Sequence, residues 1–256
     1  MPGIAETLLR ENDRLISIVG GGGKTSLMFF LAHALRQKGL RVVCTTTTRI
    51  LKPTTEQSPE LVLLDQPGFK QSLQDSLGRY GHVTVAQHLL AEGDKLQGLS
   101  CSQVESILEY SCVERMIIEA DGARNLSFKA PGDNEPVVSQ ITDLFISMVG
   151  LDIIGKTLED ANVFRAGLVS TLTGSPMGDA ITPLIVAKLV VHAKGLFKGC
   201  PGKARSAFFL NKTDISGGRE KALSVIEAVK KLEGKKPDFW LSGSIKDNLC
   251  EATDVF

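Results

Sequence analysis

The chain has 256 residues, 43% of them hydrophobic, and its 29 basic and 29 acidic side chains balance to a formal net charge of zero. This is apolar material for one large domain, and without a dense basic tract it excludes nucleic acid or an anionic membrane as an electrostatically held partner. No apolar run approaches the roughly 20 residues that span a bilayer, and the polar residues 1–13 do not read as a signal peptide, so a cytoplasmic protein is expected.

The first strand is expected over 15–19, and it runs into Gly20-Gly21-Gly22-Gly23-Lys24-Thr25-Ser26 and a helix-patterned stretch over 27–35. Strand, glycine loop and helix together describe a phosphate-binding loop. Glycines let successive backbone N–H groups curl around phosphate oxygens, while the helix start, Lys24 and the Thr25 hydroxyl supply positive field and a Mg²⁺ ligand. The longer G-x-x-x-x-G-K-[ST] form would need glycine at Ile18, so the match is to the compact G-G-x-G-K-T loop. That form resembles the branch of P-loop proteins containing the signal-recognition GTPases, a cell-division ATPase and the nickel-insertion GTPases. Lys24 is expected on a solvent-facing loop, bonded mainly to phosphate.

The helix ends at Lys38-Gly39, a cationic last turn before a C-cap glycine, and a second strand follows over 41–45, closing a βαβ unit. Thr45-Thr46-Thr47-Thr48 stands at its end, at the sheet edge where ligands of open α/β sheets gather. These hydroxyls, Thr46 and Thr47 among them, are candidates to ligate Mg²⁺, respond to the γ-phosphate or position water. Further strands are expected over 61–64 and 82–85. The segment 52–112 exceeds a minimal crossover and is expected to form an inserted subdomain or extra strands at one sheet edge. His33, His82, His88 and His192 are isolated, and the five cysteines are scattered without a C-x-x-C pair. Both read as structural residues rather than a disulfide framework or a zinc site.

The strand over 116–120 carries Glu119-Ala120-Asp121-Gly122, two carboxylates and a glycine in the arrangement of a Walker B strand. Glu119 would hold Mg²⁺ directly or through water, and the Gly122 N–H would approach the γ-phosphate. Asp121 is the second candidate for the metal or the attacking water. A strand over 144–149 follows. The strand over 207–210 leads into Asn211-Lys212-Thr213-Asp214, the N-K-x-D pattern that reads guanine. The Asp214 carboxylate would accept from guanine N1–H and N2–H₂, Lys212 would lie along the base, and Asn211 would tie this loop to the phosphate loop. A last strand over 239–241 precedes Ser242-Gly243-Ser244, where a backbone N–H would meet guanine O6.

Taken in order, the glycine loop, the threonine run, Glu119-Ala120-Asp121-Gly122-Ala123, Glu135-Pro136, Val149-Gly150-Leu151-Asp152 and Asn211-Lys212-Thr213-Asp214 resemble the YqeC family of selenium-dependent hydroxylase accessory proteins, end to end. The resemblance implies a cytoplasmic bacterial protein in the maturation of selenium-dependent molybdenum hydroxylases, with a hydroxylase or cofactor-maturation protein as partner. The family pattern places histidine before the Glu-Pro pair, where this chain has Asn134, and no role is assigned to that position.

The expected fold is α/β, a mostly parallel sheet flanked by helices in the three-layer architecture of P-loop NTPases, as one nucleotide-binding domain over 1–256. The expected function is Mg²⁺-dependent binding and slow hydrolysis of GTP, with ATP the rival nucleotide and Lys24 stabilising charge on the transferred phosphoryl group. Two rival readings use the same loop: a P-loop kinase acting on a small molecule or cofactor precursor, and an assembly protein that pairs as a homodimer without useful turnover.

Overall fold

A computed structural model describes residues 3–91 and 93–254. In chain order the elements are α1 (Ile4–Leu8), β1 (Leu15–Gly20), α2 (Lys24–Gln37), β2 (Val42–Thr46), β3 (Arg49–Leu51), β4 (Leu61–Leu63), α3 (Phe69–Tyr80), β5 (His82–Ala86), β6 (His88–Leu89) and β7 (Lys95–Gln97). They continue through α4 (Cys101–Leu108), β8 (Arg115–Glu119), β9 (Leu144–Gly150), α5 (Ala166–Thr173), α6 (Pro183–Val191), β10 (Arg205–Asn211), α7 (Gly218–Lys231), β11 (Phe239–Ser244) and β12 (Leu249–Asp254).

Nine strands form one sheet in the order β12-β11-β10-β9-β1-β8-β2-β5-β4, and every neighbouring pair is parallel except β11 with β12. β1 is buried along its whole length because both sheet faces are covered, which is why its residues read as an unbroken apolar run. Side chains alternate across it. Ile16 and Ile18 join the α1 and α2 side chains in one core, whereas Leu15 and Val19 join those of α3 and α4 in another. Farther along that second face, Phe208, Leu210 and Trp240 pack with α5, α6 and α7. The result is the three-layer architecture of P-loop NTPases, α/β/α.

The eight expected strands are the eight parallel strands of this sheet. The segment 52–112 is threaded through the same framework: β4 and β5 extend the sheet beyond β2, and β6 and β7 join β3 in a small antiparallel sheet. Among the described residues, no helix is long and apolar enough to cross a membrane.

Register decides which residues meet. Glu119 at the end of β8 pairs with Ile18 of β1 on one side and Thr46 of β2 on the other. Asn211 at the end of β10 pairs with Gly150 and Gly243, the former at the end of β9. Parallel strands therefore deliver the glycine loop, the acids, the threonines and the N-K-x-D loop to one edge, at their carboxyl ends.

His82 is buried on β5, its ring near Phe29 and His33 and both ring nitrogens without hydrogen-bond partners. Burial, then the nearby His33 and Arg36, lowers its pKa from 6.5 to about 4. The unfolded chain thus binds the proton first, so the stability present above pH 6.5 drains away as pH falls toward 4. The expected loss from this residue is about 2 kcal/mol by pH 5. Urea unfolding at pH 7 and pH 5 checks it: His82→Leu should flatten the pH dependence, and an unchanged slope would refute the assignment.

Candidate functional site

The four glycines divide their work. The Gly20 N–H donates to both carboxylate oxygens of Asp121 at 3.0 and 3.2 Å, Gly21 donates to Met148 O at 2.9 Å, and Gly22 to Leu126 O at 3.1 Å. A Cβ on Gly22 would lie 2.2 Å from Gly150 N, so glycine is required there by packing as well as by a φ of +80°. These contacts seat the loop on β9 and on the chain following β8. The start of α2 at Lys24, capped by Gly23, is left to present its first-turn N–H groups to an anion, with exposed Ser26 in that turn.

Lys24 is only 5% exposed, which corrects the solvent-facing position expected from the loop's composition. Its ammonium donates to Gly20 O at 2.8 Å and lies 3.3 Å from Asp121 and 3.5 Å from Glu119. Burial opposes its charge, but the two carboxylates outweigh burial and raise its pKa. The Thr25 hydroxyl donates to Glu119 Oε2 at 2.6 Å. A hydroxyl and a carboxylate oxygen, side by side at a helix start, are hard donors that suit Mg²⁺, which takes its other ligands from water and nucleotide phosphates.

Asp121 is committed elsewhere. Beyond Gly20 and Lys24 it meets Lys129, whose ammonium is 2.9 Å from Asp121 Oδ2, 2.6 Å from Glu135 Oε2 and 2.6 Å from Gly122 O. Glu135 in turn receives both arms of Arg165 at 2.6 and 3.0 Å. Charges of alternating sign thus run from Lys24 through Asp121, Lys129 and Glu135 to Arg165. Burial alone would raise the Glu135 pKa, yet its bonds to Arg165 and Lys129 hold it down at about 2.

The threonine hydroxyls point their protons at backbone. Thr45 donates to Val85 O at 2.8 Å, Thr46 to Glu119 O at 2.7 Å and Thr47 to Val137 O at 2.6 Å. They brace the ends of β2, β5 and β8 around the acids. Gly122 is open above, with nothing within 4 Å of where a Cβ would stand.

Asn211 joins the two halves of the site: its amide donates to Gly22 O at 2.7 Å while its carbonyl accepts from Ile245 N at 3.2 Å. The Thr213 N–H donates to Gly243 O at 3.0 Å, fastening the N-K-x-D loop to the half-buried Ser242 and its neighbours. Lys212, at φ +73°, is bonded to Ser127 Oγ at 2.8 Å and Asp152 Oδ2 at 3.0 Å. Asp214 is exposed at the rim.

Ser127, Lys129 and Arg165 carry no motif in the sequence. Glu135 and Asp152 are visible there only inside stretches shared with a family. Each finds its partner through the fold, Lys212 lying 85 residues from Ser127 and 60 from Asp152. Strand β1, the glycine loop, the start of α2 and the acids at the end of β8 are thus laid out as a phosphate-binding loop beside an acidic strand end.

A family model described as "YqeC protein" matches residues 16–167. The "Uncharacterized protein YqeC" of Escherichia coli (strain K12) is 30% identical over 205 residues, which cover 79% of this chain and 77% of that one. Two solved structures are similar at low identity. Chloroplast FtsY from Physcomitrella patens aligns with a TM-score of 0.43 at 15% identity, over 97% of this chain and 64% of that one. FtsY from Mycoplasma mycoides aligns with a TM-score of 0.40 at 12% identity, over 96% and 65%. The chain thus spans less than two thirds of the length of either FtsY protein.

Proposed function

The chain belongs to the YqeC family, and from that premise we propose that it is a Mg²⁺-dependent GTP-binding protein that hydrolyses GTP slowly. The observation that carries the reading is the pair of hydrogen bonds made by the Asn211 side chain, which ties the phosphate loop to the loop proposed to read the base. A phosphate loop alone would serve any nucleotide. Its union with N-K-x-D favours guanine, because Asp214 then stands on the same sheet edge as the phosphates.

In this reading the start of α2 and Lys24 hold the phosphates and stabilise charge on the γ-phosphoryl group. Thr25 and Glu119 would hold Mg²⁺, which supplies charge neutralisation to the phosphate oxygens. Asp121 already accepts from Gly20, Lys24 and Lys129, so it positions the loop and its lysine. Water attack would fall to the open face beside Gly122. We propose that 1–256 acts as one nucleotide-binding domain. The family resemblance supports a place in the maturation of selenium-dependent molybdenum hydroxylases, with the bound nucleotide controlling a partner protein.

Titration calorimetry with GTP and ATP in Mg²⁺ tests the core of the proposal, and GTP should bind at least tenfold tighter. Thr25→Ala, by losing an oxygen ligand, and Glu119→Gln, by losing the negative charge, should each raise the Mg²⁺ needed for half-maximal hydrolysis by about tenfold. If only Asp121→Asn has that effect, the metal assignment is wrong. Phosphate transfer that requires an added acceptor would instead support a kinase.

A further inference from the structure

We infer that Arg124 supplies the cation that faces the transferred phosphoryl group, an inference that rests on the nucleotide-hydrolysis reading above. The Leu126 N–H donates to Ala123 O at 2.9 Å, closing a four-residue turn with Arg124 and Asn125 at its corners, φ +49° and +62°. Both central residues with positive φ make this a primed turn. Asparagine tolerates that conformation, whereas arginine is disfavoured in it and glycine would adopt it freely. What arginine adds is its guanidinium.

The turn is pinned to the phosphate loop at both ends. Asp121, three residues before Arg124, accepts the Gly20 N–H, and Leu126, two residues after, accepts the Gly22 N–H. A Cβ on Gly21 would lie 2.7 Å from Leu126 O, so loop and turn are in direct contact. The turn therefore brackets the phosphate site, next to the open face of Gly122.

Three cations surround the Phe164 ring: Arg165 at 4.3 Å from its centre, Arg124 at 4.9 Å and Lys129 at 5.5 Å. Arg165 and Lys129 are committed to Glu135. Arg124 is exposed and makes no hydrogen bond or ion pair among the described residues. A ring face is a weak partner for a guanidinium, and a phosphoryl group offering two charged oxygens is a far stronger one. Phe164 thus serves as a resting position from which Arg124 transfers to the nucleotide. In the reaction the water oxygen bonds to the γ-phosphorus while the bond to the β–γ bridging oxygen breaks. The electron pair of that bond leaves on GDP, the water proton ends on the released phosphate, and the guanidinium bonds oxygens that gain charge.

The test uses the full chain with Arg124→Gly, which keeps the turn without its unfavourable φ, and Arg124→Lys, which keeps charge without the fork. The readouts are titration with fluorescent GDP, with and without aluminium fluoride in Mg²⁺, and steady-state phosphate release. Arg124→Gly should melt no lower than the unaltered chain and bind GDP within about twofold of it. It should lose the fluoride-dependent tightening, and its kcat should fall by about 1,000-fold or more. Arg124→Lys should lie between, and added guanidinium chloride at millimolar concentration should restore part of the Arg124→Gly rate. The inference is overturned if Arg124→Gly keeps the fluoride complex or turns over within threefold of the unaltered chain. It is equally overturned if that variant loses GDP affinity in parallel, or if the unaltered chain binds GDP without any response to fluoride. Failure of the unaltered chain to bind GDP at all would overturn the guanine-nucleotide reading itself.

Discussion

Lys129→Met lowers the stability of the folded chain by about 3 kcal/mol, the expected result of removing the middle charge from a row of five whose first three members are buried. The lysine side chain is 1% exposed and bonds Asp121, Glu135 and Gly122 O. Methionine fills a similar volume but donates nothing, so two carboxylates lose a cation and a carbonyl loses its donor. Leaving a buried charge unpaired costs about 3–5 kcal/mol. The low end applies here because Asp121 keeps Lys24 and Glu135 keeps Arg165. Acid should narrow the difference between the two proteins. Glu135, held at about 2 against an ordinary 4.5, contributes stability that is present above 4.5 and lost as pH falls toward 2. At pH 3.5 the unfolded chain already binds a proton there, so part of what Lys129 helps Glu135 contribute is gone. Urea unfolding at pH 7 and pH 3.5 measures both effects, and a loss at pH 7 below about 1 kcal/mol would show that the row is solvated in solution.

This charge row also marks where sequence reading runs out. The parallel strands are legible because each is a short apolar run between turn residues, and runs buried on both faces cannot hide their pattern. β3, β6 and β7 span three, two and three residues, too short for any periodicity to register. β12 interleaves Glu251 and Asp254 with apolar residues and pairs antiparallel at the sheet edge, where a continuous apolar run is not required. The phosphate loop, Glu119-Ala120-Asp121-Gly122 and Asn211-Lys212-Thr213-Asp214 are legible because backbone geometry forces their residues to be contiguous. Lys129, Glu135 and Arg165 are joined only by side chains reaching across loops, so nothing in their spacing announces them. Burial is equally invisible in a motif. Lys24 has the right identity for a phosphate ligand, yet only the fold shows it wedged between Glu119 and Asp121. The threonine run shows the opposite case, a conspicuous cluster of hydroxyls whose protons go to the carbonyls of Val85, Glu119 and Val137.

Asp214→Asn moves nucleotide preference from GTP toward XTP. The expected loss for GTP is about 2–4 kcal/mol, thirtyfold to a thousandfold in affinity, because a charge-assisted pair is lost and polar edges are left mismatched. The carboxylate can accept from guanine N1–H and N2–H₂ together. An asparagine amide offers one donor toward the 2-oxo group of xanthine and meets guanine with a donor against a donor. Two features of the fold make the swap a clean one. Asp214 is exposed, so the amide replaces no buried partner. Its loop is also fixed independently, by Asn211 to Gly22 O and Ile245 N, by Thr213 to Gly243 O, and by Lys212 to Ser127 and Asp152. The phosphate contacts of α2 therefore stay intact, and XTP should recover most of the affinity that GTP loses. Calorimetric titration of both proteins with GTP, XTP and ATP decides the matter. If the unaltered chain binds ATP as well as GTP, or the variant keeps its GTP affinity, Asp214 only terminates a loop and the base is read elsewhere.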